Sequence, residues 1–362
     1  MSSSRNLHAL TALRFFPAMW VVLFDYWRNL GLPAPAVVAK GYLGVEVFFT
    51  LSGFILCHVY LGELERGAFD YGGFLKARLA RIYPLHLASL AAIGAMALAA
   101  GFVGLSIDAN ILSWASLPAN LLLVQAWGLA PVAAWNHPSW SISAEWFAYL
   151  SFPLFGAVTI ALRNRPLTAL ATATLALAGL YAGFEALSGW PLTQATIRWG
   201  ALRIAPCFAY GCALYLVWRS GGLRDHAALR VGAWILAAFG LIFAQLGAPD
   251  ALIVLSLGAV IPVLAERHSQ VQRGMIGRSL TYLGEISYAI YMLCIPWGLL
   301  FVNSMSHIAG YRKDGLPVWA WLFLVVGLIP LSAACHHLVE RPGRIWIRGL
   351  GRAPRALSTS VA

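Results

Sequence analysis

The sequence predicts an all-α membrane protein, a polytopic transmembrane helical bundle of about 10 spans with one re-entrant or interfacial helix beside them. Three observations carry this. Sixty per cent of the residues are hydrophobic and the mean hydropathy is +0.73, far above a soluble mixture. Apolar runs long enough to cross a bilayer recur from end to end. Basic residues, which give a net charge of +11, gather in short segments between those runs, the pattern of cytoplasmic loops rather than of a nucleic-acid surface. No ten-residue alternation of the kind an outer-membrane barrel needs is present.

Taken in order, the predicted spans are 8–27, 42–62, 82–103, 140–162, 167–187, 199–218, 231–247, 250–265, 280–301 and 318–338. The first is too long for a cleavable signal peptide and lacks a small-residue cleavage site. The run 111–128 contains Pro118 and Asn120, and charge settles its role. If it does not cross, both termini are cytoplasmic and 18 of the 25 lysines and arginines fall inside. Letting it cross sends Arg163, Arg165 and all that follows to the wrong side, so 111–128 is expected to be re-entrant or interfacial. The expected location is a bacterial inner (cytoplasmic) membrane, multi-pass. No loop has room for a soluble domain, which leaves one domain over 1–340 and a basic cytoplasmic tail over 341–362, partly disordered and suited to anionic lipid. The five cysteines lie in or beside apolar runs without a CxxC pair, so they read as packing residues and no metal site is expected.

Charges inside apolar runs carry the functional signal, because an ionisable group at membrane depth is expensive. Arg14 and Asp25 in the first span are eleven residues apart. They share one helical face about 16 Å apart along the axis. The second span holds Glu46 near its outer end and Ser52 beside small residues, which serve helix packing as readily as substrate contact. Lys76, Arg78, Arg81 and Tyr83 open the third span. Arg78 and Arg81 share a face and suit phosphate recognition, against the plainer reading of positive-inside anchoring. Glu145 sits one turn into its span near Trp140 and Tyr149, so it needs a partner or a role, and Arg14 is a candidate partner. Tyr288 and Tyr291 share a helical face, His336 and His337 have no third ligand at metal spacing, and Glu340 and Arg341 read as a structural pair.

The stretches LRFFPAMWVVLFDYW, GVEVFFTLSGF, RLARIYP, WSISAEWFAYLSFP, ISYAIYM and VERP, in this order and over nearly the whole chain, resemble the membrane acyltransferase-3 family. The resemblance implies an enzyme, an acyl-CoA-dependent O-acetyltransferase, with acetyl-CoA or another acyl-CoA as cytoplasmic co-substrate and no metal. It also implies membrane lipid as surroundings and a hydroxyl acceptor on an extracytoplasmic or lipid-linked glycan of exopolysaccharide or O-antigen type, or else a small molecule such as a macrolide. Arg78 and Arg81, with Lys76 and Tyr83, are then expected to hold the CoA phosphates, while Arg14, Glu145 and position 25 carry the chemistry. One departure stands out: the family pattern places histidine ten residues beyond the arginine, where this chain has Asp25. Aspartate is a much weaker base than histidine near neutral pH. Three readings stay open: a variant inactivated at this position, a member that uses Asp25 as base, or a member of altered function. A membrane transporter is the competing class, with the lack of internal repeats counting against it.

Overall fold

The computed structural model describes residues 7–102, 111–221, 226–266 and 274–350. Among them the structure is helical, with no strand. Eight helices are long and apolar enough to cross a membrane, and one bent helix pair has the length and composition for a ninth. The first is broken at Arg14 into α1 (His8–Leu13) and α2 (Phe15–Trp27). Pro17 explains the break, since it has no N–H for the Leu13 carbonyl and its ring crowds that turn. The same logic acts elsewhere. The bent pair α5 (Trp140–Leu150) and α6 (Phe152–Ala161) turns by 56° where Pro153 deprives the Tyr149 carbonyl.

Between these lie α3 (Gly44–Glu65) and α4 (Tyr71–Phe102). After them come α7 (Pro166–Ser188), α8 (Gly200–Arg219) and α9 (Ala227–Gln245). The predicted span 250–265 is helical in two short pieces, α10 (Asp250–Gly258) and α11 (Val260–Glu266), split where Pro262 cannot bond the Gly258 carbonyl. The predicted span 280–301 divides between α12 (Met275–Glu285) and α13 (Ser287–Ala309). The last span, α14 (Val318–Cys335), continues through a π-helical stretch, His336–Glu340, into α15 (Arg341–Gly349). The first part of the expected tail is therefore helix. Gly343 of α15 packs on Pro84 of α4, where an added Cβ would lie 2.5 Å from the proline ring. Residues 351–362 of the tail lie outside the described residues.

The hub is the α3–α8 pair. The two helices meet backbone to backbone at Gly53 and Gly211: a Cβ on Gly53 would lie 2.1 Å from the Phe208 carbonyl oxygen, and one on Gly211 would lie 2.0 Å from that of Thr50. Small residues permit this approach, which is the main source of helix cohesion where lipid offers no hydrophobic drive. The perimeter is apolar and exposed, as at Leu175, Leu187, Phe239 and Phe323, the inverse of a soluble surface.

The segment 111–128 holds only short helical turns, the longest being Leu117–Leu121. It dips and returns. Trp135, just past it, faces Gly94, whereas the Leu121 carbonyl accepts from Tyr83 Oη at 3.0 Å and the Asn120 carbonyl meets His86 Nε2 at 2.8 Å. Gly94 and Tyr83 are eleven residues apart on α4, about 16 Å. Irregular backbone is tolerated at that depth because protein side chains satisfy it. Ser143 Oγ donates to the Leu123 carbonyl at 2.8 Å and accepts from the Ala126 N–H at 3.0 Å, holding the turn where Leu123 adopts φ 57°.

Candidate active site

One cavity of about 1230 Å³ runs along α3 from Val45 to Arg66 and is closed by the Arg14 turn, α4, α5, α8 and α13. Along α3 the lining residues Ser52, Ile55, Val59, Gly62 and Arg66 recur every three or four positions, so one stripe of this helix forms the floor. Their Cα atoms span about 21 Å.

Eight of the thirteen residues singled out from the sequence line this cavity: Arg14, Ser52, Arg78, Arg81, Glu145, Tyr149, Tyr288 and Tyr291. Arg14 stands at the helix break with its guanidinium 6.0 Å from the Phe48 ring centroid. Arg81, Glu145 and Glu340 act on it electrostatically. Arg78 donates to Tyr60 Oη at 3.2 Å and lies within 6.0 Å of the Tyr60, Phe74 and Tyr149 rings. Its Nε is buried without a hydrogen-bond partner. Among the described residues, none of Arg14, Arg78 and Arg81 has a carboxylate within ion-pair distance. Cations held out of water without counter-charges are costly unless an anionic ligand completes them.

Glu145 accepts a short hydrogen bond of 2.5 Å from Ser52 Oγ. Its bonded partner is thus Ser52, while Arg14 acts from further away. The tyrosines are fixed by backbone carbonyls: Tyr288 Oη donates to Ile82 at 2.6 Å and Tyr291 Oη to Pro138 at 3.0 Å.

The other five do not line the cavity. Asp25 faces α13, where Cys294 Sγ lies 3.6 Å from its Oδ2. Glu46 is fully buried and holds Arg203 through two contacts of 2.5 and 3.0 Å. That guanidinium lies 4.5 Å from the Trp140 ring centroid and also donates to the Ala195 carbonyl at 2.8 Å. Glu46 therefore belongs to a buried ion pair with Arg203 that ties α3 to α8, and Trp140 packs its ring against that guanidinium. Lys76 Nζ caps the Leu350 carbonyl at the end of α15, and Tyr83 holds the re-entrant segment. Glu340 pairs with His336 at 2.9 Å and Arg344 at 2.5 Å, not with its neighbour Arg341.

Sequence reasoning missed Arg203 as the partner of Glu46, although an arginine inside an apolar run was itself a signal. It also missed His58, Trp218 and Arg219 on the cavity wall. Among the described residues no cluster of His, Cys, Asp or Glu could hold a metal ion.

Comparison with known proteins agrees with this arrangement. Residues 7–337 match the profile described as an acyltransferase domain, Acyl_transf_3. The chain is 29% identical to Acyltransferase MdmB of Streptomyces mycarofaciens over 96% of its own length and 93% of that protein's. It is 22% identical to O-acetyltransferase OatA of Staphylococcus aureus over 95% of its own length, which spans only 58% of that relative. A shorter match, 35% identical over 33% of the chain and 68% of the relative, is to Protein 2 in picA locus of Rhizobium radiobacter. No solved structure is similar. With an acyltransferase profile over nearly its whole length and a helical bundle around one arginine-lined cavity, this chain belongs to the acyltransferase-3 family of membrane acyltransferases.

Proposed function

We propose that the chain is an O-acetyltransferase that takes its acyl group from acyl-CoA at the arginine end of the cavity and passes it to a hydroxyl of an extracytoplasmic or lipid-linked glycan. The observation that carries this reading is the set Arg14, Arg78 and Arg81, cations in one cavity with no carboxylate partner among the described residues. The orphaned Nε of Arg78 fits a phosphate oxygen, since arginine forks match phosphate geometry. The cavity's length along α3 lets a pantetheine arm carry a thioester from Arg78 and Arg81 toward Ser52 and Glu145.

In that pose the acceptor oxygen attacks the thioester carbonyl carbon, its proton passes to a carboxylate, and the C–S bond breaks to release CoA. Arg14 stabilises the oxyanion of the tetrahedral intermediate. Glu145, tied to Ser52, is the cavity carboxylate beside Arg14 and can take the proton. Asp25 stands just beyond the cavity, close enough to act on the Tyr291 hydroxyl electrostatically. An imidazole at position 25 reaches further from the helix axis and titrates nearer neutrality, so the histidine of the family pattern would serve a hydroxyl arriving there better than Asp25 does. The ring pair Phe48–Tyr291, 6.4 Å apart, offers apolar faces to an acceptor at this end.

The test is direct. Purified protein in detergent is given isotope-labelled acetyl-CoA and lipid-linked glycan, and the products are read by mass spectrometry. Label on a glycan hydroxyl supports the reading; free CoA without labelled glycan, while small hydroxylated acceptors are labelled, moves the acceptor class to small molecules.

A further inference from the structure

The cavity does not end at Arg78. It continues to a rim between the ends of α3 and α8, lined by His58, Tyr215 and Trp218 and by Arg66 and Arg219. The three rings form a cluster, with His58 at 5.2 Å from Trp218 and 6.2 Å from Tyr215, each edge-to-face. Tyr215 and Trp218 lie 5.8 Å apart. Beside them, Arg219 grips Glu65 bidentately at 2.7 and 2.8 Å, and Arg163 and Arg66 act on the same carboxylate. A second recess of about 450 Å³ shares Glu65 and Arg219 with the cavity and adds Arg163, Asn164 and Ser220. Arg66 folds back along its own helix toward Gly62, where a Cβ would lie 3.4 Å from its Nη1. Arg66, Arg163 and Arg219 thus surround the single carboxylate of Glu65, an excess of positive charge beside an aromatic cluster. None of these residues is needed for the transfer step.

We propose that this α3–α8 rim is a separate subsite for the purine nucleoside phosphate end of the donor, in which the His58–Tyr215–Trp218 cluster takes the base and Arg163 with Arg66 takes the ribose 3′-phosphate. The inference rests on the acyl-CoA reading above. Aromatic rings bind bases through their faces whatever the base, and guanidinium groups suit a phosphate monoester; Arg66 lines the cavity and Arg163 the recess that adjoins it at Glu65. The placement divides the donor into three parts. Its nucleoside end lies against α8, its pyrophosphate lies at Arg78 and Arg81 on α4, and its thioester lies further along α3 near Ser52. Arg66 and Ser52 are fourteen residues apart on that helix, about 21 Å, which separates the anchoring end from the reacting end.

The experiment measures binding of CoA, 3′-dephospho-CoA and 4′-phosphopantetheine to the full chain in detergent by titration calorimetry, in wild type, Arg163→Ala and Trp218→Ala. Wild type is expected to favour CoA over 3′-dephospho-CoA about tenfold, the worth of one charge-assisted phosphate contact. Arg163→Ala abolishes that preference while leaving 3′-dephospho-CoA binding unchanged. Trp218→Ala weakens both nucleotides and leaves 4′-phosphopantetheine alone. Arg163 is exposed, so that variant reports even where loss of the Trp218 ring disturbs packing. Unchanged CoA binding in Arg163→Ala, or an equal loss for CoA and 3′-dephospho-CoA, overturns the subsite. Failure of the two proposals is distinguishable: CoA binding that depends on Arg78 and Arg81 but not on Arg163 overturns the subsite alone, whereas no binding of any of the three ligands to wild type overturns the donor reading and the subsite with it.

Discussion

Replacing Gly211 by alanine places a methyl group where two helices already touch. The new Cβ starts 2.0 Å from the Thr50 carbonyl oxygen and 2.9 Å from the Phe54 nitrogen. Ordinary contact begins at 3.4 Å, so α3 and α8 must part by more than 1 Å or shear along each other. Both obstacles are backbone, and no flexible side chain can yield. Overpacking of a tight interface costs about 1–3 kcal/mol and occasionally more, and the upper end applies where only backbone can move. Cys207 and Cys212 lie on the same stretch of α8 and are buried, as are Cys57 and Cys294, so a maleimide dye that fluoresces on reacting with thiols reads the unfolding without further labelling. The expected result is a midpoint lowered by several degrees, with dye uptake faster at room temperature as well. Gly53→Ala, whose Cβ would lie 2.1 Å from the Phe208 carbonyl oxygen, should behave alike. The double variant should lose less than the sum, because the first methyl already separates the helices and the sites share partners. A Gly211→Ala midpoint equal to wild type would refute the backbone-contact reading of the hub.

Arg203→Ala leaves Glu46 buried without its partner and is expected to lower stability by about 3–5 kcal/mol, read as loss of folded protein on size-exclusion chromatography. Glu46→Gln with Arg203→Met should recover part of that loss; equal damage in both would argue against an ion pair that acts mainly through burial. Glu145→Gln keeps the shape of the site and removes the carboxylate, so acyl transfer should fall about 100-fold while CoA binding stays within twofold. Asp25→His is expected to raise the transfer rate at least about tenfold, and no gain would remove the reading of position 25 as a weakened base.

The intramembrane charges were legible because arginine and glutamate stand out in apolar runs, and Arg14, Arg78, Arg81 and Glu145 do meet in one cavity. What periodicity could not supply is the neighbour. It put Arg14 and Asp25 on one face, yet the break at Arg14 and the packing of α2 against α13 leave Asp25 beside Cys294 rather than in the cavity. Glu46 and Arg203 lie 157 residues apart in sequence, and nothing local in either stretch announces the other. Lys76 and Tyr83 have the right composition for a phosphate site, but the helical phase of α4 turns them to α15 and to the re-entrant segment. The family stretches named the enzyme class without assigning these partners.

Binding of CoA tests the central claim most directly. Titrating wild type and an Arg78→Ala/Arg81→Ala variant with CoA should give saturable binding in wild type and at least a tenfold weaker dissociation constant in the variant. Each lost charged hydrogen bond is worth about 1.5–3 kcal/mol, and 1.4 kcal/mol is a factor of ten. Equal affinity for the two proteins, or no binding to wild type at millimolar CoA, would contradict the assignment of this cavity to the acyl donor.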